Sequence, residues 1–209
     1  MPPALPEPVL FLQLVTREKE TFVQRSLPDG DLGEVPTEES PARLAPAEKP
    51  VGSIRAVDVL EYVLDEEAWL AACAATLPTG GALLVRVPLE GPLAWMDALN
   101  IYRYAQDITG WGERLHETQT KGWRRHYTPR DLAGLLENAG FRVDTLSRHG
   151  SPTRDVAHFG RLAWGKLLRD DAGAEVRARA WRDQADASLD LIRLGRYSTK
   201  IAAWATRQA

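Results

Sequence analysis

The segment from residue 54 to residue 88 constrains the fold more than any other part of the chain. It reads as a short apolar strand (54–57), an acidic helix start at Asp65, an Ala-rich helix, the pair Gly80-Gly81 and a second apolar strand (82–87). This order of elements takes about 34 residues, the length of one right-handed crossover unit between parallel strands. The segment therefore predicts an α/β fold in which the two strands are neighbours.

Composition predicts one globular domain over 1–209, because 44% of the 209 residues are apolar and 26% are charged. The formal net charge of −3 argues against a nucleic-acid partner. The single cysteine, Cys73, excludes an internal disulfide, and it is expected to be a packed thiol. No apolar run reaches the roughly 20 residues of a membrane span. The Pro-rich residues 1–8 are expected to be a flexible tail and lack a signal-peptide pattern, so a cytoplasmic protein is expected.

Apolar runs and turn residues predict the elements that flank this unit. In the N-terminal part, residues 9–15 and 21–24 predict strands, and the Pro- and Gly-rich residues 26–52 predict a loop. In the C-terminal part, the sequence predicts a helix over 91–107, a helical extension within 151–195 and an edge strand within 197–206.

Residues 128–141 carry a complete set of helix signals. Thr128 can cap the helix, Pro129 suits its first position, and Gly140 can end it. The positions spaced for one apolar face are Leu132, Leu135, Leu136 and Ala139. The alternation in residues 141–147 then predicts another strand.

The two blocks at 54–88 and 126–141 together resemble class I S-adenosylmethionine-dependent methyltransferases. Those proteins show a strand, a Leu-Glu-His turn, a helix, a Leu-x-Pro-Gly-Gly turn and a strand ending in Pro, and later a helix ending in Ala-Gly-Phe. Here Tyr62 replaces the His, and Pro78-Thr79 precedes Gly80-Gly81. The resemblance implies a three-layer Rossmann-like fold with a mainly parallel sheet, an abbreviated N-terminal half and extra C-terminal helices. Strand 9–15 is expected beside 54–57.

The resemblance implies S-adenosylmethionine as cofactor, at positions Gln13, Thr16, Asp58 and Val59. In the family the first strand ends in a glycine-rich loop, whereas this chain has no glycine before Gly30. The acidic residue expected after the second strand has only the turn residues Asp29 and Asp31 as candidates. Weak or absent cofactor binding is therefore expected.

Candidate site residues follow the strands or lie in a predicted lid over 95–127. His126 and His116 are the candidate catalytic bases, with His126 the better candidate. The alternative is that each is an ordinary loop histidine, at the surface or in a hydrogen bond. The candidate substrate-binding residues are Glu90, Tyr102, Tyr104, Trp123 and Arg125. No spacing of His, Asp and Glu residues predicts a metal site.

Three functions fit these patterns. The first is methyl transfer to a small, sugar-like metabolite. The second is a non-catalytic relative that binds a partner or metabolite, having lost the glycine-rich loop. The third is a small-molecule enzyme that does not use S-adenosylmethionine. The expected partner is a small-molecule substrate, without nucleic acid or membrane, and both a homodimer and a heterodimer remain open.

Overall fold

The computed structural model describes residues 5–17, 20–36, 44, 51–94, 97, 101, 108, 125–150 and 197–209. They form one seven-stranded sheet, two helices and a short 3-10 turn at Leu60–Tyr62. The strands are β1 (Val9–Arg17), β2 (Glu20–Leu27), β3 (Gly30–Pro36), β4 (Ser53–Val57), β5 (Ala82–Pro88), β6 (Phe141–His149) and β7 (Lys200–Arg207). The helices are α1 (Glu66–Thr76) and α2 (Pro129–Asn138).

The centre of the sheet is the parallel trio β1, β4 and β5, within the order β3-β2-β1-β4-β5-β7-β6. The prediction that the strands at 9–15, 54–57 and 82–87 are neighbours is therefore confirmed. The α/β Rossmann-like class is confirmed too. The expectation of a mainly parallel sheet is wrong, because β1–β4 and β4–β5 are the parallel pairs and the other four pairs are antiparallel.

The N-terminal half is a three-stranded antiparallel ribbon. Strand β1 turns directly into β2, and β2 turns into β3. The second strand is confirmed, but the prediction of a loop over 26–52 is wrong at Gly30–Pro36. The segment Pro28-Asp29-Gly30 is a tight turn signal, and a turn between two extended segments makes a hairpin rather than a long loop.

Strand β7 lies inside the sheet, between β5 and β6. A strand near residues 197–206 was expected, but its placement at the edge is wrong. Ile201, Ala203 and Ala205 are buried in the core. This nearly continuous apolar run suits a strand that is paired on both sides and covered by other chain segments.

Helix α1 closes the crossover between β4 and β5. It begins after Asp65, whose side chain accepts a hydrogen bond from the Ala68 amide at 2.9 Å. Trp69, Leu70 and Cys73 are buried on its inner face. Cys73 is a packed thiol as expected, and burial raises its pKa well above the usual value.

Helix α2 has the ends that its sequence predicts. Thr128 caps it, accepting a bond from the Asp131 amide at 3.1 Å, and Gly140 follows with a φ of +86°. Leu132 and Leu136 are fully buried, and α2 contacts α1, so both helices cover the same face of the sheet. The expected helical extension within 151–195 lies outside the described residues, so it and the expected third layer stay predictions. In the described part of the chain, no helix is long and apolar enough to cross a membrane.

Candidate functional site

The candidate site lies at the edge where the parallel strands β1, β4 and β5 have their carboxyl ends. Loops converge at this edge in open α/β sheets, and ligands bind there. The segment 125–127 extends it beside β5. The Tyr127 amide donates to the Pro88 carbonyl at 3.0 Å, and the Glu90 amide donates to the Tyr127 carbonyl at 2.9 Å. These strand-like bonds fix the position of residue 126.

Arg125 and Tyr127 both reach Glu66, the first residue of α1. The Tyr127 hydroxyl donates a hydrogen bond to the Glu66 carboxylate, and the Arg125 guanidinium forms an ion pair with it. Alternate residues of an extended segment face the same side, so a single carboxylate can hold both. We call these three residues the Glu66 clamp. It ties the segment 125–127 to α1.

The Tyr127 phenol is held in its neutral form. Burial is the main cause that raises its pKa far above the usual value, and the hydrogen bond to Glu66 raises it further. The negative charges of Glu66 and Glu61 act in the same direction, and the positive charge of Arg125 opposes them. Tyr127 therefore acts as a hydrogen-bond donor that anchors the segment and is not a candidate base.

His126 faces away from the clamp and lies beside a buried acid. Its Nε2 atom is 3.4 Å from Oδ2 of Asp97, and the side chains are only 13% and 7% exposed. His126 is therefore not a surface residue but is paired with Asp97. Its neighbours Arg125 and Tyr127, both bound to Glu66, hold the backbone on either side of it. A carboxylate beside an imidazole orients the ring, which suits a proton-transfer group.

Asp58 joins three strands at the carboxyl edge of the sheet. Its Oδ2 atom is 3.1 Å from a guanidinium nitrogen of Arg86 on β5, and its Oδ1 atom is 2.6 Å from the ammonium of Lys200 on β7. The backbone at Asp58 has a φ of +54°, which aspartate tolerates better than most residues. We call Asp58, Arg86 and Lys200 the ion triad.

The other predicted cofactor positions do not form a cofactor loop. Val59 is fully buried in the core. Gln13 is the last β1 residue that pairs with β4, and Thr16 lies opposite Thr21 in the β1–β2 hairpin. In the described residues, an extended strand therefore occupies the place of the family's glycine-rich loop. The residues present do not fit the S-adenosylmethionine site that the resemblance implies.

The predicted substrate residues divide between described and undescribed parts of the chain. Glu90 is exposed just after β5, and the Arg125 side chain is 41% exposed at the same edge. His116, Tyr102, Tyr104 and Trp123 lie outside the described residues. Among the described residues, no group of three His, Cys, Asp or Glu side chains is placed to hold a metal ion.

Sequence reasoning missed Asp97, Glu66 and Lys200 as site residues. A signal existed for Asp97, which is four residues from both Leu93 and Ile101. An acid at that helical spacing shares a face with apolar residues, and such an acid needs a partner. Glu66 reads as an ordinary acidic helix start, and nothing local marks Lys200.

Comparison with known proteins identifies the family. Residues 10–146, more than half of the chain, match the family model described as a methyltransferase domain. The chain belongs to this family, the class I S-adenosylmethionine-dependent methyltransferases. No curated protein gives a significant match.

Solved structures of similar fold include the [4+2]-cyclase SpnF, with 15% identity and a TM-score of 0.44, covering 78% of this chain and 53% of its own. Loganic acid methyltransferase has 11% identity and a TM-score of 0.45, covering 76% of this chain and 62% of its own. Phosphoethanolamine N-methyltransferase 2 of Haemonchus contortus has 12% identity and a TM-score of 0.40, and the match covers 77% of this chain and 34% of that protein. This chain thus spans about half the length of the first of these.

Proposed function

We propose that this methyltransferase-family protein binds a small, sugar-like metabolite at the carboxyl edge of β4 and β5. In this proposal His126 exchanges a proton with the bound metabolite. The observation that carries the proposal is the pair of His126 and Asp97, 3.4 Å apart and largely shielded from water. Burying an acid and an imidazole together costs free energy of desolvation. Such a pair on a backbone that is held in place is suited to proton transfer.

One exposed cation beside His126 offers a contact for an anionic group of the metabolite. Arg125 keeps 41% of its side chain exposed although it is paired with Glu66, so its guanidinium is accessible to a phosphate or carboxylate. The exposed carboxylate of Glu90 lies on the adjoining turn, where it can accept a hydrogen bond from a hydroxyl. Together they suit a sugar phosphate.

Methyl transfer is the reaction that family membership favours. An acceptor hydroxyl must lose its proton for such a reaction, and His126 is the described group suited to take it. The non-catalytic alternative is favoured by a different observation, the strand in place of a cofactor loop. The third candidate, small-molecule chemistry without S-adenosylmethionine, shares the proton-transfer role of His126.

The test follows the His126 imidazole by nitrogen-15 NMR while glucose 6-phosphate is added as the probe. We expect its resonances, assigned by their loss in His126→Gln, to shift on addition. Asp97→Asn is expected to lower the affinity for the probe at least about tenfold, because the imidazole loses the carboxylate that orients it. A tenfold change in affinity corresponds to about 1.4 kcal/mol. Asp144→Asn, at an exposed ion pair on β6, is the matched control and should respond like the wild type.

The same series separates the alternatives. Transfer of a labelled methyl group from S-adenosylmethionine to an acceptor, lost in His126→Gln, would establish methyl transfer. A His126 resonance that stays unchanged while other residues of the edge respond to the probe would contradict its role. His126→Gln should also lower the melting temperature, since a buried Asp97 that loses its neighbour costs about 1–3 kcal/mol.

A further inference from the structure

The direction of β2 decides what the edge beside β1 can bind. Strand β1 pairs with β4 up to Gln13–Val57, but it continues as a strand to Arg17. Over that extension it pairs with β2 in the antiparallel direction, ending at the pair Arg17–Glu20. The first strand therefore returns in a hairpin and does not lead through a helix into a parallel second strand.

This reversal moves the end of β2 to the opposite edge of the sheet. The last residues of β2 lie beside the start of β1, with Ser26 opposite Phe11. The turn that holds Asp29 follows at that amino edge. Gln24, opposite Gln13, is five residues before Asp29, so the aspartate lies roughly 15 Å from the carboxyl edge along the strand direction. Asp29 and Asp31 thus cannot serve a ligand at that edge.

The acids that the ribbon does bring near the carboxyl edge are misplaced. Glu20 is opposite Arg17, four residues beyond Gln13, which is about 13 Å past the end of β4. Glu34 lies on β3, opposite Gln24 of β2. It is two strands away from β1, which is about 10 Å across the sheet. A nucleoside in an α/β pocket places its ribose beside the end of the first strand, against an acid from the second. In the described residues, neither acid has that position.

We infer that the edge between β1 and β4 does not accept an adenosyl group, and that the ligand of this protein is a non-nucleoside metabolite. The hairpin closes that edge because it takes the place of the loop. The Asp58 carboxylate is bound to Arg86 and Lys200, which lie on the far side of β4 from β1. The ligand is left with the side of the edge formed by β5 and the segment 125–127. This second part rests on the proposed function, whereas the exclusion of the adenosyl group does not.

A cross-link in the hairpin tests the inference. Thr16 and Thr21 are direct partners, and directly opposed residues have the Cα separation that a disulfide requires. The double variant Thr16→Cys/Thr21→Cys should oxidise to a monomeric cross-linked form. Thr16→Cys/Phe22→Cys is the matched control, since successive strand positions face opposite sides, and it should stay reduced. Wild-type and oxidised protein are then titrated with S-adenosylmethionine and S-adenosylhomocysteine.

We expect the first pair to cross-link, the control to remain reduced, and neither cofactor form to bind the wild type in the micromolar range. Wild-type binding that disappears on oxidation would overturn the inference, because it would mean that the hairpin opens to admit the adenosyl group. Failure of the Thr16 and Thr21 variant to cross-link would overturn it as well. Binding unaffected by oxidation would place the nucleoside elsewhere; it would support closure of this edge but overturn the assignment of a non-nucleoside ligand. None of these readouts involves His126, so the proposed function stands or fails separately.

Discussion

At the scale of single residues, Tyr127 links burial to the chemistry of the site. Its hydroxyl is held by Glu66, and its neighbour His126 is thereby turned towards Asp97. The hydrogen-bond donor in this clamp must stay protonated, since an ionised phenolate beside Glu66 would repel it. The site therefore depends on a proton that the fold retains and the unfolded chain releases in alkaline solution.

The stability of the protein should fall in alkaline solution because of Tyr127. Its pKa is raised in the folded protein, whereas in the unfolded chain it ionises near pH 10. The stabilisation is therefore fully present below about pH 10 and decreases at higher pH, at up to about 1.4 kcal/mol per pH unit. Tyr127→Phe, less stable than the wild type at pH 8, should approach it above pH 10 in denaturant unfolding.

Tyr197→Phe is the control for this prediction, because that ring is 44% exposed. Its alkaline profile should follow the wild type. If the difference in the free energy of unfolding between the wild type and Tyr127→Phe stays constant from pH 8 to pH 11, the prediction is wrong.

At the scale of elements, α2 and the turn after it contain two glycines with opposite requirements. Gly134 is inside the helix, and an added Cβ would meet nothing within 4 Å. Gly140 follows the helix with a φ of +86°, again with open space around it. Only the backbone conformation separates the two positions, so the pair isolates conformational effects from packing.

Gly134→Ala should therefore stabilise the protein by about 1 kcal/mol, through better helix propensity and a less flexible unfolded chain. Gly140→Ala should destabilise it by about 1 kcal/mol, because a residue with a Cβ is strained in the left-handed region. Gly140→Asn should cost less than Gly140→Ala. Thermal or urea unfolding measures all three, and equal signs for the two alanine variants would refute the argument.

At the scale of the whole molecule, the ion triad joins the parallel centre of the sheet to its C-terminal strand. Asp58 follows β4, Arg86 is on β5 and Lys200 is on β7, with side chains 18%, 9% and 14% exposed. Removing the carboxylate leaves two mostly buried cations close together. The cost of breaking a buried ion pair comes mainly from the charge left behind.

Asp58→Asn should destabilise the protein by about 3 kcal/mol while tolerating the positive φ, since asparagine also adopts that conformation. Asp144→Asn is the matched control. The hydrogen bond from Thr206 is the main cause that lowers the pKa of this carboxylate, and Arg142 lowers it further. Arg142 is 66% exposed, and exposed pairs contribute about 0–1 kcal/mol. Equal losses in the two variants, measured by urea unfolding, would show that the triad has no special role.

The sequence by itself determined the elements whose causes lie within a few residues. Asp65 and Thr128 cap helices because each side chain reaches an amide three residues ahead. Gly140 ends α2 because the chain there needs a positive φ. The crossover between β4 and β5 follows from its length and its two apolar strands. The family resemblance rested on these same local blocks, and the family match confirms it.

Only the tertiary structure decided the place of β7 inside the sheet and the partners of the site residues. Asp58 is paired with Arg86, 28 residues away, and with Lys200, 142 residues away. Glu66 meets Tyr127 across 61 residues. A strand at the end of a long connection, such as β7, has no local feature that fixes its neighbours, because strand pairing depends on backbone groups that every residue carries. Charged side chains likewise find partners only after the sheet has brought them together.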